Sequence, residues 1–263
     1  MKVSLAQLSP EADLERDCET ACSVIGSRPE SDLVLFPELF LGGYDTKDPQ
    51  AVATTLDGAG MKSIAAACAE SGTAAIVGFT EDAGDGDFAN SAACFDADGK
   101  VAAAYRKANL FGPGERSTFV AGGSMTVVRL AGRPVGPQIC FDMEFPEPSR
   151  LMALAGAEIL ATIAANMEPY AGDHRLAARA RALDNRLPHL YANRIGTQSG
   201  HRFTGESCVI APDGTVLAEL GPEEGILDFE IEIELARPDR DTSYLELLRS
   251  DLDVIVNDNG GEA

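Results

Sequence analysis

Positive charge is scarce in this 263-residue chain, in which 21 lysines and arginines stand against 42 aspartates and glutamates for a formal net charge of -21. Such a surface repels the phosphates of nucleic acids and the headgroups of anionic membranes, so we expect neither as a partner. Long apolar runs are also missing, since no stretch approaches the ~20 residues that a membrane-spanning helix needs. The opening residues MKVSLAQLSP reach proline and acidic residues too soon for a secretory signal, which makes the cytoplasm the expected location.

Paired cysteines are lacking as well. The six cysteines lie at positions 18, 22, 68, 94, 140 and 208, without the spacing of a metal site, and a core of this size does not need disulfides, so we expect free thiols. Cys18 and Cys22 fall on an apparent amphipathic helix with no matching second pair, which favours packing over metal binding. The histidines number only three, at 174, 189 and 201, and no motif ties any of them to a cysteine, which disfavours a cysteine–histidine hydrolase.

What the chain does have is the composition of a folded protein, with 45% apolar and 24% charged residues. Short β-rich runs alternate with helical stretches without a linker, which predicts one layered α/β domain over residues 1–263. Two direct hairpins, SAACFDADGKVAAAYRK and SCVIAPDGTVLAEL, exclude a purely parallel sheet. The acidic tail from about residue 238 has weaker periodicity, and we expect it to pack on a neighbouring subunit or to fray.

The periodicity places one cysteine at a junction between a strand and a helix. Apolar spacing predicts helices over residues 14–25, 57–70 and 171–187, and solid apolar runs such as DLVLFPE and EILATIAA predict buried strands. Strands near 125–129 and 134–140 lead into Cys140. Beyond it, Pro146 fits the first turn of a helix that Gly156 ends.

Three chemically active side chains directly follow apolar strands: Glu38 after LVLFP, Lys107 after VAAAYR and Cys140 after PVGPQI. Glu115 lies eight residues beyond Lys107 in a loop rich in glycine and proline. Strand ends are where loops converge on active sites. A thiol needs a cation to hold its thiolate or a base to take its proton, and a lysine with a glutamate supplies both. The lysine cation also suits the oxyanion that forms when sulfur attacks a carbonyl, so the set is complete for acyl transfer.

Each of these residues has a structural explanation when it is considered alone. A single cysteine is more often a small buried hydrophobe than a nucleophile. Glu38 on its own fits a cap or an ion pair, and Lys107 fits a solvated charge at a strand end. The case for catalysis therefore depends on the three segments taken together.

Taken together, the three segments resemble a known family. FPELFLGGY, YRKANLFGPGE and CFDMEFPE are similar, in this order, to the glutamate, lysine and cysteine motifs of the nitrilase superfamily of carbon-nitrogen hydrolases. LALAGAEILATIAANMEPY, ARALDNRLPHLYANRIG and FTGESCVIAPDGTVLAEL also resemble it, so the similarity covers nearly the whole chain. The resemblance implies a four-layer αββα sandwich with mixed sheets, a homodimer or higher homo-oligomer, and no metal or organic cofactor.

The resemblance also implies a role for each candidate residue. Cys140 is then the nucleophile and Glu38 the general base. Lys107 stabilises the oxyanion with help from the backbone N–H of Phe141, while Glu115 positions substrate and supports proton transfer. The implied reaction is hydrolysis of a small amide through a thioester on the cysteine, with release of ammonia.

The residues after the nucleophile bear on the substrate. True nitrilases usually have Trp and Glu there, whereas this chain has Phe141 and Asp142 and no tryptophan, which favours an amide over a nitrile. CFDMEFPE and NMEPY resemble the aliphatic and amino-acid-amide amidases, including those that act on 5-aminopentanamide. The branch that acts on ω-amides of keto acids often has arginine where Glu144 stands. Because a glutamate repels a carboxylate, Glu144, together with Glu168 of NMEPY, predicts selectivity for neutral or amino-bearing amides. Binding of both acids to backbone or to a dimer partner is an equal alternative.

Several further assignments stay open at this point. Tyr44 and Tyr170 are candidates for the pocket lining, although tyrosine in such loops is as often packing. The same superfamily includes nitrilases and N-carbamoyl amine or amino-acid hydrolases. A catalytically silent binding protein on the same fold and a redox thiol protein are alternatives of another class. The intact glutamate, lysine and cysteine positions argue against the silent protein.

Overall fold

The computed structural model describes residues 1–44 and 47–233, together with 245, 248, 249 and 251. The strands are β1 Lys2–Gln7, β2 Leu33–Leu35, β3 Ala74–Gly84, β4 Asp87–Phe95, β5 Val101–Arg106, β6 Val128–Leu130, β7 Arg133–Ile139, β8 Ile159–Ala164, β9 His189–Asn193, β10 Ile195–Gln198, β11 His201–Thr204, β12 Cys208–Ile210, β13 Val216–Glu219 and β14 Gly225–Glu230. The helices are α1 Leu14–Gly26, α2 Ala59–Ser71, α3 Gly112–Thr118, α4 Pro146–Leu154 and α5 Ala171–Asn185, with short 3-10 turns at Pro49–Ala51 and Cys140–Glu144. The interface role expected for the tail from about residue 238 falls largely outside the described residues.

Twelve of these strands form two six-stranded sheets built on the same plan. The first has the order β14-β1-β2-β3-β4-β5 and the second the order β13-β12-β9-β8-β7-β6. Each has three parallel strands at its centre, β1 to β3 and β7 to β9, and antiparallel pairs outside them. The prediction of mixed sheets is confirmed.

Alternation of side chains along the strands creates the layers. Leu33 and Leu35 of β2 pack in the cluster between the two sheets, whereas Val34 points the other way into the cluster beneath α1 and α2. Met152 of α4 and Ala182 of α5 cover the outer face of the second sheet. The result is the expected αββα sandwich, whose strand ends converge at one edge.

The predicted helices and hairpins are confirmed with small shifts of boundary. The second helix begins at Ala59 because Gly58, in extended conformation, is its N-cap. The fifth helix ends at Asn185 because Arg186 adopts the left-handed conformation (φ +57°) ahead of Pro188. Beyond the expected hairpins, β3 and β4 form a long hairpin of their own. None of the helices in the described ranges is long and apolar enough to cross a bilayer.

Candidate active site

Four side chains from separate parts of the chain meet where the two sheets face each other. Glu38 follows β2, Lys107 follows β5, Glu115 lies in α3 and Cys140 begins the 3-10 turn after β7. All four are buried, and the lysine and both glutamates are at most 1% exposed. The structure therefore brings together the residues that the sequence singled out.

The Lys107 ammonium is the centre of this group. Its Nζ donates to Glu38 Oε1 at 2.6 Å and to Glu115 Oε1 at 2.9 Å. Because a buried charge without a partner costs several kcal/mol, the three groups can only be buried as a set. Two carboxylates around one ammonium leave the set with an excess of negative charge.

Further donors fix the Glu38 carboxylate. The side-chain amide of Asn90 donates to Oε1 at 2.7 Å, and the backbone N–H of Ala165 donates to Oε2 at 2.8 Å. The backbone beside this residue is also fixed, because Gly78 of β3 lies so close that an added Cβ would collide with the backbone of Pro37 and of Leu39. The carboxylate is thus held from both sheets.

Glu115 is anchored independently of the lysine. The Tyr44 hydroxyl donates to Oε1 and the backbone N–H of Phe111 donates to Oε2, each at 2.8 Å. Tyr44 is therefore a partner of the second glutamate. Its hydroxyl is a fixed donor, because burial raises the pKa of this phenol far above its usual range.

Cys140 lies on a strained turn that the sequence did not reveal. Its backbone is in the left-handed region, with φ +47°, which costs a residue other than glycine roughly 1–2 kcal/mol. Asp142 holds the turn in place, since its carboxylate accepts from the backbone N–H of Ile139 at 3.1 Å, from Asn109 N–H at 2.8 Å and from the Tyr105 hydroxyl at 2.7 Å. The side chain of Asn109 adds a fourth bond at 3.0 Å.

The sulfur of Cys140 has two neighbours besides the ionised set. The backbone N–H of Ala165, which donates to Glu38, also lowers the pKa of the Cys140 thiol. Nε2 of His174 lies 4.0 Å from Sγ. His174, which no motif ties to a cysteine, is thus carried to the sulfur by α5 across 34 residues of sequence.

The electrostatics of the site favour a neutral thiol at rest. Burial raises the pKa of Cys140 well above its ordinary range, and the negative charge of Glu38 adds to this effect, against the opposing charge of Lys107. Burial alone lowers the pKa of Lys107, but the attraction of Glu115 and Glu38 outweighs it and raises that pKa. Burial also raises the pKa of Glu115. Lys107 therefore keeps its positive charge, and this charge stabilises the two carboxylates rather than a thiolate.

A small cleft opens onto the sulfur. Its lining consists of Phe111, Cys140, Phe141, Glu144, Ala165, Asn166, Met167, Tyr170 and His174. Phe141, Glu144 and Tyr170 were anticipated at this site. Glu168 was anticipated too, but its carboxylate is 57% exposed and pairs with Arg202 at 3.0 Å, away from the lining.

Sequence reasoning missed four partners of the site. Asn90 and Ala165 carry no local signal, because one is mid-strand and the other acts through its backbone. Asp142 was noted only as a departure from nitrilases, although a carboxylate two residues after a strand end is a capping signal. His174 was weighed and set aside, since its spacing from the cysteine gave no periodic relation.

Comparison with known proteins decides the family. The model of the carbon-nitrogen hydrolase family matches residues 2–241. The chain belongs to the carbon-nitrogen hydrolase family. It is 37% identical over 231 residues to a "Hydrolase in pqqF 5'region" of Pseudomonas protegens, covering 86% of this chain and 81% of that one. It is 36% identical over 251 residues to an (R)-stereoselective amidase of Pseudomonas sp., covering 94% and 90%.

A solved structure agrees with the fold of this carbon-nitrogen hydrolase. The crystal structure of an amidase from Nesterenkonia sp. superposes with a TM-score of 0.82 at 28% identity, covering 91% of this chain and 93% of that one. A glutamate variant of that amidase carries the acetamide moiety of fluoroacetamide on its active-site cysteine. The resemblance to the nitrilase superfamily and to its amidase branch is confirmed, and so is the four-layer fold.

Proposed function

We propose that this carbon-nitrogen hydrolase is an amidase that hydrolyses small primary amides to a carboxylic acid and ammonia through a thioester on Cys140. The observation that supports it most is the buried set of Glu38, Lys107 and Glu115 beside a thiol that opens onto a small cleft. A small cleft suits a small substrate. The names of the amidase relatives agree with this choice.

Acylation begins from the neutral thiol. Glu38 takes the proton of Cys140 as the sulfur bonds to the amide carbon, so that no free thiolate accumulates beside two carboxylates. The carbonyl oxygen becomes an oxyanion, which Lys107 and the backbone N–H of Phe141 stabilise. The protonated Glu38 then gives its proton to the amide nitrogen, the carbon–nitrogen bond breaks, and ammonia leaves the thioester.

Deacylation reverses these roles. Glu38 takes a proton from water as the water oxygen attacks the thioester carbon, and the same lysine and N–H again hold the oxyanion. Collapse breaks the carbon–sulfur bond, and the proton returns to the sulfur of Cys140. Glu115, fixed by Tyr44, keeps the ammonium in position throughout.

Glu144 on the cleft wall gives the substrate preference. Its side chain is 30% exposed and lines the cleft with Cys140, where a carboxylate repels acidic substrates. Glu168 drops out of this proposal because it pairs with Arg202. Neutral or amino-bearing amides are therefore the preferred class.

The test is a panel of primary amides, nitriles and N-carbamoyl amines, with ammonia and product acid measured and the thioester trapped by mass spectrometry. We expect amide turnover, an acyl adduct on the Cys140 peptide, and loss of both in Cys140→Ala. Cys22→Ala, which alters the most exposed thiol, is the matched control and should turn over normally. Turnover that persists in Cys140→Ala refutes the assignment, and carbon dioxide release from carbamoyl compounds favours the carbamoyl hydrolase.

We also propose that the protein functions as a homodimer or higher homo-oligomer in the cytoplasm. The proposal follows from the family resemblance alone. Light scattering after size-exclusion chromatography measures the assembly directly, and a monomer at working concentration contradicts it.

A further inference from the structure

A hydrogen bond and a close polar contact, both made by His174, lie behind the wall of the cleft and are not used by the mechanism above. The Tyr191 hydroxyl lies 3.0 Å from Nδ1 of His174, and Nε2 of the same ring lies 3.1 Å from Oε1 of Glu144. Tyr191 and His174 are each 3% exposed. Three elements supply these side chains, namely β9, α5 and the 3-10 turn that carries Cys140.

The tyrosine determines which ring nitrogen of His174 carries the N–H. Burial raises the pKa of Tyr191 well above its ordinary range, so the phenol keeps its proton. Within the described part of the chain, that hydroxyl has no hydrogen-bond partner other than Nδ1 of His174. The proton is satisfied when Tyr191 donates to Nδ1, which leaves the N–H of His174 on Nε2, the nitrogen that lies 3.1 Å from the Glu144 carboxylate.

Glu144 has a close polar contact at one oxygen only. Its Oε1 lies 3.1 Å from Nε2 of His174, whereas Oε2 has no partner among the residues that the structure describes. The carboxylate lines the cleft, and the nucleophilic sulfur lies 4.0 Å from the same imidazole nitrogen. An unpaired carboxylate oxygen at a fixed position beside the nucleophile is a ready acceptor for a charged donor.

We infer that His174, fixed by Tyr191, is a positioning residue that presents Glu144 to an ammonium group at the far end of the amide substrate. The inference rests on the proposed amidase function and adds the residues that set its selectivity. Since the sulfur lies 4.0 Å and the carboxylate oxygen 3.1 Å from the same nitrogen atom, a substrate with about two or three carbon atoms between its amide carbon and its amino group can reach both.

The experiment compares two amides of equal size, β-alaninamide and butanamide, which differ by an ammonium in place of a methyl group. We expect the wild type to prefer β-alaninamide. Glu144→Gln and His174→Leu should each lower the ratio of the two kcat/KM values about tenfold, mainly through KM, because the contact exists before and during the reaction. His174→Gln keeps an N–H donor and should recover most of the ratio, and Tyr191→Phe should fall between.

A double substitution separates positioning from general damage. If His174 acts through Glu144, then His174→Leu in the Glu144→Gln background lowers the ratio no further. An equal loss on both amides in His174→Leu, additive effects in the double variant, or no recovery in His174→Gln overturns the inference. Should His174→Leu not fold, Tyr191→Phe and His174→Gln carry the same comparison.

Binding without turnover distinguishes this inference from the proposed function. Calorimetric titration of Cys140→Ala with each amide measures preference without chemistry. A preference for β-alaninamide that depends on His174 supports the inference even if no amide is hydrolysed, in which case only the proposed function fails. Equal binding of the two amides overturns the inference even if both are hydrolysed.

Discussion

Replacing Lys107 with methionine removes one charge from the centre of the site while keeping a side chain of similar length. The ammonium lies 2.6 Å from Glu38 and 2.9 Å from Glu115, and all three groups are buried. Removal of one member from a buried ionic set generally costs about 3–5 kcal/mol, because it leaves charge without a partner. We therefore expect Lys107→Met to lower the free energy of unfolding by this order.

The loss of free energy of unfolding in Lys107→Met should depend on pH, and the carboxylates decide whether it grows or shrinks as the pH rises. Burial raises the pKa of Glu115, and the charge of Lys107 opposes that rise, so its removal raises the pKa further. An acid with a raised folded-state pKa destabilises the fold once pH exceeds its unfolded value, because the folded state holds a proton that the unfolded state releases. The slope is about 1.4 kcal/mol per pH unit for each such proton. The penalty should thus be larger at about pH 7.5 than at about pH 5.5.

Urea unfolding at the two pH values measures this penalty. Lys100→Met is the matched control, because Lys100 is a surface lysine whose ion pair with Asp98 is exposed, and it should change little. Glu115→Gln added to Lys107→Met removes one of the two facing carboxylates and should restore about half or more of the lost free energy. A penalty that does not vary with pH, or a double variant less stable than Lys107→Met, refutes the reasoning.

Three further predictions concern the surroundings of the sulfur. Glu38→Gln removes a negative charge that raises the pKa of Cys140, so iodoacetamide should alkylate this cysteine several-fold faster near neutral pH. Peptide mass spectrometry measures the alkylation, and ammonia release should be lost in the same variant. A slower alkylation contradicts this prediction. Asp142→Ala leaves four donors, two of them buried, without their acceptor, and we expect it to lower the free energy of unfolding by about 3 kcal/mol in urea. Asp142→Asn should cost less, and equal losses argue against the anchoring role. Gly78→Ala pushes the backbone on either side of Glu38 and should reduce kcat at least tenfold. Its control is Gly26→Ala, where an added Cβ meets nothing and kcat should stay unaltered. Similar kcat values for the two variants would show that the close approach of Gly78 to the Glu38 backbone is unimportant.

The positions of Glu38, Lys107 and Cys140 could be predicted from sequence for a physical reason. Each follows an apolar strand, and strands that share two facing sheets end at a common edge, so polar heads at those ends meet. The hairpins were equally accessible, because Asp-Gly turns act over a few residues. Such local signals predict which groups come together, but they do not give the distances between those groups.

The charge state of the sulfur was not accessible in that way. The sequence indicated a lysine that holds a thiolate, which is correct chemistry for an isolated pair. In the folded protein both Glu38 and Glu115 bind the Lys107 ammonium, and the remaining negative charge raises the pKa of Cys140 instead. That outcome depends on distances among four segments, which no single stretch encodes.

Long-range partners were missed for a related reason. His174 reaches Cys140 only because α5 packs against the 3-10 turn, and its spacing in the chain has no helical or strand period. The opposite error concerns Glu168, which the sequence predicts at the site. In the folded protein it lies in the loop that follows β8 and forms an ion pair with Arg202 instead. Neither result could be decided without the packing of whole elements.

The amide of Ala165 has an implication for how this centre is studied and how it evolves. One peptide N–H donates to the carboxylate of Glu38 and lowers the pKa of the Cys140 thiol, so part of the machinery belongs to no side chain. Alanine scanning is blind to it, and codon changes other than to proline leave it in place. Substitutions in the cleft walls can therefore change the substrate range, while the backbone N–H of residue 165 stays the same in every variant.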